Sequence, residues 1–215
     1  MLLLLTAVNA GAQESALSDR LDRLLAEEDL PGITWSAVGD SGPITGANGL
    51  ADIAEGRPMT AASKIQVGSV TKVVLALGVL RLVSEGKLTL DTDVEQLLPM
   101  LNWKNPWRDP VTVGHLLEHT AGLDNIRLWQ FLNSRVTPGT PLLDAFPADQ
   151  RHLLEIRSKP GRQYSYSNMG YALLGIVIEQ VTGQRYEAYL AESLLAPLGM
   201  EDSSFRLITQ ASDSR

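Results

Sequence analysis

The chain contains no cysteine. That absence excludes a disulfide framework, a cysteine-ligated zinc site and a thiol nucleophile, and it leaves the redox compartment open. Positive charge is scarce: 18 Lys and Arg stand against 25 Asp and Glu, a net charge of −7, with no basic cluster anywhere. Neither nucleic acid nor an anionic membrane surface is therefore expected as a partner. Long apolar runs are also missing. Runs such as Val73–Leu80 fall far short of the about 18 residues that mark a bilayer span, so no integral membrane segment is expected. Internal repeats and low-complexity tracts are absent. What remains is a chain of 215 residues, 44% of them hydrophobic, enough to fill the core of one large domain or two small ones.

The N-terminus bears on compartment. "MLLLLTAVNAGAQES" begins apolar and reaches Ala10-Gly11-Ala12, a small-x-small cleavage pattern, so residues 1–12 read as a signal peptide cut after Ala12. The basic flank usual before such a run is missing, which points to a misplaced start or a lost beginning. A secreted or periplasmic location follows as the expectation. Leucines 17, 21, 24, 25 and 30 then recur at helical spacing until Pro31-Gly32. "ITWSAVGD" and "PITGANGLAD" predict two strands, joined through Asp40-Ser41-Gly42 as a hairpin. A lone hairpin is only marginally stable in water, so these strands need partners.

After residue 63 the pattern turns helical. Residues 70–85 predict a helix that is apolar all round from Val73 to Leu80, hence buried on most sides, and ended by Gly86. "TLDTDVEQLLP" predicts a turn and a short helix. "LNWKNPWRDP" predicts a structured loop, and "TVGHLLEHTAGL" a short helix closed by Gly122. Residues 133–149, with Pro138, Pro141 and Pro147, should be irregular. "NMGYALLGIVIEQVTG" and "RYEAYLAESLLAPLGM" predict two further helices, ended by Gly183 and Pro197, and "DSSFRLI" could begin another strand.

Chemistry could reside in two places. In "QVGSVTKVVLALGVL", Ser69 precedes Lys72 by one helical turn, so both lie on one face. The Ser69 N–H is one of the unsatisfied amides of a helix N-terminus and can donate to an oxyanion. Burial and the positive helix end both disfavour a charged ammonium at Lys72, which would let it accept the Ser69 proton. The plainer alternative makes Ser69 an N-cap and Lys72 a snorkelling surface residue. A lone S-x-x-K is weak evidence, and the chain has a second, Ser84-Glu85-Gly86-Lys87, which sits at a helix C-terminus and reads as cap and turn. In "RQYSYSNMGYALLG", Tyr166 near a lysine could relay protons, and Asn168 could orient a substrate amide and the lysine. Here the plainer alternative is Tyr166 as a core aromatic and Asn168 as N-cap. A rival pattern is His115-Leu116-Leu117-Glu118-His119, an H-x-x-E-H match that would make a zinc metallopeptidase, with Glu179, Glu187 or Glu192 as third ligand.

Taken together, "GSVTK", "LVSEGKLTLDTDVEQLLP", "VTVGHLLEHTAGL", "KPGRQYSYSNMGYALLG" and "LLAPLGM" resemble the serine β-lactamase and penicillin-binding superfamily. The similarity runs over residues 17–206. It is greatest to the branch related to class C β-lactamases, which includes DD-peptidases and family VIII-type esterases. The resemblance implies an α/β (α+β) fold of the β-lactamase/transpeptidase type, with an antiparallel sheet, flanking helices and an all-α subdomain. It divides an incomplete domain, 13–215, into a sheet-side portion at 13–62, a helical subdomain at 63–200 and the start of a return to the sheet at 201–215. It implies an acyl-enzyme hydrolase for a β-lactam, a D-Ala-D-Ala peptide or an ester, with Ser69, Lys72 and Tyr166 catalytic and Asn168 binding substrate. The Ser69 N–H would serve as oxyanion donor. It also implies a small-molecule or peptidoglycan-like substrate, no metal or organic cofactor, and His119 as a packing and turn residue. The family's third motif, K-T-G or H-x-G, is not found, so the chain resembles the N-terminal part of such an enzyme. The unpaired hairpin and the missing motif make a truncated fragment the expectation, and since losing one oxyanion donor alone costs about 10²–10³ in rate, one that is inactive as it stands. A non-catalytic penicillin-binding or regulatory protein is the remaining alternative.

Overall fold

The computed structural model describes residues 2–39, 42–101, 103–125, 140–145 and 154–205. The chain divides into two compact units, Met1–Gln66 and Val67–Arg215.

The first unit is a helix, α1 (Leu2–Glu27), and a sheet of β1 (Gly32–Gly39), β2 (Gly42–Asp52) and β3 (Arg57–Pro58) in the order β1-β2-β3. β1 and β2 are antiparallel, with Gly32 opposite Gly49 and Gly39 opposite Gly42. The expected turn residues Asp40 and Ser41 lie outside the described residues. β3 is too short to show in the sequence; it pairs with β2 across an irregularity between Leu50 and Asp52. A side-chain network ties the helix to the sheet. Buried Asn48 accepts from Trp35 Nε1 (3.0 Å) and donates to Ser18 Oγ (2.7 Å) and Asp22 Oδ1 (2.8 Å). Because a one-residue slip would carry Asn48 to the other face, this network pins the register of β2.

The second unit is helical. α2 (Thr71–Ser84) follows a tight 3₁₀ turn at Gly68–Val70, and α3 (Val94–Leu97) and α4 (Val113–Leu117) come next. α5 (Asn168–Thr182) and α6 (Tyr186–Leu190) complete the set, the last continued by a wider turn at Ala191–Leu195. Most of the expected irregular stretch 133–149 lies outside the described residues, as do residues 206–208 of "DSSFRLI"; Leu142–Ala145 form a 3₁₀ turn. Asp93 caps α3 and Thr112 caps α4, each accepting a backbone N–H of the first turn. The core gathers on α5, whose Leu173, Leu174, Val177 and Ile178 are fully buried with Leu82 of α2 and Leu116 of α4. Gly78 lets α2 approach α6, since a Cβ there would overlap Leu190 Cδ2.

Two expectations about helices are corrected. α2 is not buried on most sides. Leu75, Gly78, Val79 and Leu82 face the core, but Val70, Val73, Leu77 and Leu80 are 44–61% exposed. A run that is apolar all round carries no periodicity, so the sequence cannot reveal which stripe the neighbours cover. α4 does not run to Gly122. It ends at Leu117, and His119 takes the left-handed conformation (φ 58°) that closes it. The Thr120 N–H donates to His115 O (2.8 Å) and the His119 N–H to Leu116 O (3.4 Å). α2 ends by the same pair of bonds with Gly86 (φ 68°) in the equivalent place.

Candidate active site

The site belongs to the second unit and is made by two chain segments, the entry to α2 and the entry to α5. Gly68 sets the first. Its φ of +53° suits glycine and turns the chain sharply into the 3₁₀ turn that carries Ser69. The turn's first bonds run from the Val70 N–H to Val67 O and from the Thr71 N–H to Gly68 O, so the Ser69 N–H precedes the first donor of the ladder. No side-chain cap forms at this end, which sets aside Ser69 as a plain N-cap.

The second segment is held by its own cap and by a loop. Ser167, 3% exposed, is the N-cap of α5: its Oγ accepts the Gly170 N–H (3.1 Å). Asn168 is therefore the first helical residue rather than the cap, and its side chain is free to turn elsewhere. The loop after α4 takes the next two unsatisfied amides. The Ser167 N–H donates to His119 Nδ1 (3.1 Å), and the Asn168 N–H donates to Asn125 Oδ1 (2.9 Å).

The four residues singled out in the sequence come together. Ser69 Oγ lies 2.7 Å from Tyr166 Oη. Lys72 Nζ donates to Ser69 Oγ (3.3 Å) and to Asn168 Oδ1 (2.7 Å), so Lys72 is half-buried and directed inward. Its ammonium also lies 4.9 Å from the centre of the Tyr166 ring. The Lys72 ammonium, and after it the Ser69 hydroxyl, hold the Tyr166 phenol below the ordinary tyrosine range, against a smaller opposing effect of burial. Tyr166 is 37% exposed and thus no core aromatic. The arrangement presents an exposed hydroxyl, a phenol within hydrogen-bond reach of it and an ammonium beside both.

The zinc pattern does not assemble. His115 Nδ1 accepts the Thr112 N–H (3.2 Å) within the cap of α4, and His119 stands past the helix end with its Nδ1 on Ser167. Glu179 and Glu187 pair with Arg185. Among the described residues no three His, Cys, Asp or Glu side chains are grouped to hold a metal ion. Ser84 Oγ donates to Arg81 O and Lys87 pairs with Glu85, as the capping reading of the second S-x-x-K requires. Sequence reasoning missed Asn125 as a partner of the site; an asparagine in a loop gives no signal until its partner is known. Among the described residues no helix is long and apolar enough to cross a membrane.

The Beta-lactamase family profile matches residues 17–212. Protein flp of Staphylococcus aureus (strain N315) is 33% identical over 146 residues, which is 67% of this chain and 28% of that protein. Penicillin-binding protein 4* of Bacillus subtilis (strain 168) is 30% identical over 158 residues, 72% of this chain and 33% of that protein. The chain thus spans about a third of the length of these curated relatives. Among solved structures, the octameric penicillin-binding protein homologue from Pyrococcus abyssi superposes with a TM-score of 0.71 at 31% identity, covering 89% of this chain and 43% of that one. D-amino acid amidase from Ochrobactrum anthropi SV3 superposes with a TM-score of 0.77 at 25% identity, covering 94% and 55%. The fold is of the β-lactamase/transpeptidase type, as the sequence resemblance implied.

Proposed function

The chain belongs to the Beta-lactamase family, and from that premise we propose that it is a serine hydrolase working through an acyl-enzyme on Ser69. The carrying observation is the 2.7 Å approach of Ser69 Oγ to Tyr166 Oη with Lys72 against Ser69. Tyr166 acts as the phenolate, the form favoured by the adjoining Lys72 cation, and takes the Ser69 proton as Oγ bonds to the carbonyl carbon. The carbonyl oxygen becomes an oxyanion facing the Ser69 N–H. On collapse the leaving amine or alkoxide takes the proton from Tyr166. Water then attacks the ester carbonyl and gives one proton to Tyr166; the bond from the acyl carbon to Ser69 Oγ breaks, Tyr166 passes that proton to Oγ, and the acid is released. Asn168 orients a substrate amide, a role supported by the bond from Lys72 that fixes its side chain. The substrate class is a β-lactam, a D-Ala-D-Ala peptide or an ester, all of which present a carbonyl with a leaving group.

The test is covalent labelling. Incubated with a fluorescent penicillin, the chain should gain the mass of one opened penicillin, and Ser69→Ala should gain none. One event per molecule suffices, so labelling remains readable even if a single oxyanion donor slows the chemistry by about 10²–10³. An adduct retained by Ser69→Ala would overturn the assignment. The reading also carries export: with a leader cut after Ala12, N-terminal sequencing of the mature chain should begin at Gln13. A chain that keeps residues 1–12 in a secreting host would remove that part.

A further inference from the structure

His119 takes no part in the proton path, yet it touches the Tyr166 ring and the backbone on both sides of it. Its place at the end of α4 is one that glycine fills at the end of α2, so a side chain is kept there against the backbone's preference. The backbone on both sides of Tyr166 is attached to it. The Ser165 N–H donates to His119 O (2.8 Å), and the Ser167 N–H to His119 Nδ1 (3.1 Å). The imidazole ring lies 4.6 Å from the Tyr166 ring, tilted by 39°, and 5.0 Å from that of Tyr171. Tyr164 meets it edge-on at 5.8 Å.

We propose that His119 is a positioning residue that holds the Tyr166 phenol against Ser69 and Lys72 only while its imidazole is uncharged. The inference rests on the reading of Tyr166 as proton carrier. Accepting the Ser167 N–H requires a bare Nδ1. A proton there would set donor against donor and release the segment. Among the described residues the groups facing the ring are Lys72 from α2, Tyr164 and Tyr166 from the segment before α5, and Tyr171 from α5. An imidazolium would therefore also stand beside the Lys72 cation. Burial first, and Lys72 second, push the His119 imidazole below the ordinary histidine value, so the clamp is closed at neutral pH and opens on acidification.

The experiment follows the whole chain by NMR, labelled with ¹⁵N and with ¹³Cζ-tyrosine, from neutral pH downward. The Ser167 amide and the Tyr166 Cζ should shift together with the His119 ring, at a midpoint below about 6.5. Penicillin labelling should fall over the same range, by about 10²-fold once the phenol is misplaced. In His119→Asn, which tolerates the left-handed backbone and offers an oxygen that does not titrate, the extra fall at the His119 midpoint should vanish and leave only the fall set by protonation of Tyr166. Ser167 and Tyr166 resonances that stay still while His119 titrates would overturn the proposal, and that result needs no variant to fold. A His119→Asn chain that keeps the same extra fall at the parent's His119 midpoint would overturn it as well. If the resonances move together but no form of the chain is ever labelled, the clamp stands and the hydrolase reading falls.

Discussion

Replacing Lys72 with methionine should slow penicillin labelling of Ser69 by about 10²–10⁴ at neutral pH. Methionine keeps most of the length of the lysine stem and removes the ammonium. Three things go with it. Ser69 Oγ loses the donor at 3.3 Å, and Asn168 Oδ1 loses its 2.7 Å partner. The Tyr166 phenol loses the cation that is the largest cause of its lowered pKa. The third loss gives the variant a signature. Its phenol should return towards the ordinary value of about 10, so labelling should recover in part as pH rises towards that value. The parent chain, whose phenol ionises lower, should show its rise at lower pH. A Lys72→Met chain that labels within about tenfold of the parent at neutral pH would show that the ammonium is not needed to activate Ser69.

The second large effect is on stability. Leu173→Ala should cost about 2–5 kcal/mol, the range for truncating a fully buried leucine. Leu173 is 0% exposed on α5, among Leu174, Val177 and Ile178 of the same helix and the buried leucines of α2 and α4. Domains of this size are stable by about 5–15 kcal/mol, so the loss is a large fraction of the whole. Urea unfolding should show a lower midpoint with an unchanged slope. Val73→Ala, on the stripe of α2 that is 60% exposed at that residue, should stay within about 0.5 kcal/mol. Equal costs at the two positions would contradict the division of α2 into a core face and an outer face.

That division marks where the sequence stopped being readable. The strands at 32–39 and 42–52 flank a short turn between Gly39 and Gly42, so their existence and pairing could be read directly. α5 could be read for the same kind of reason, with a serine-asparagine start and Gly183 at its end. α2 could be placed but not oriented, since valine and leucine on every side leave no period to follow. The end of α4 was misread because glycine is the usual left-handed residue, and Gly122 lay close enough to take the role from His119. At the site, Ser69, Lys72, Tyr166 and Asn168 were each named from local pattern and family resemblance. Their mutual distances were not available from either. The support beneath them, His119 Nδ1 and Asn125 Oδ1 on two backbone amides, involves partners 48 and 43 residues apart. Contacts of that kind leave no trace in local spacing.

Ser69 and Tyr166 are separated by 97 residues along the chain. Their meeting closes a long loop, and such closure must be paid for before the contact returns anything. The nucleophile can therefore be assembled only late, after α2 and α5 have docked through their leucines, and its rate of appearance should track the slow, non-local step of folding. A collapsed chain that kept both helices but lost their docking would still give a native far-ultraviolet circular dichroism spectrum. It would not be labelled. Covalent capture of penicillin during refolding would thus serve as a clock for tertiary assembly, running behind helix formation by the time the loop takes to close.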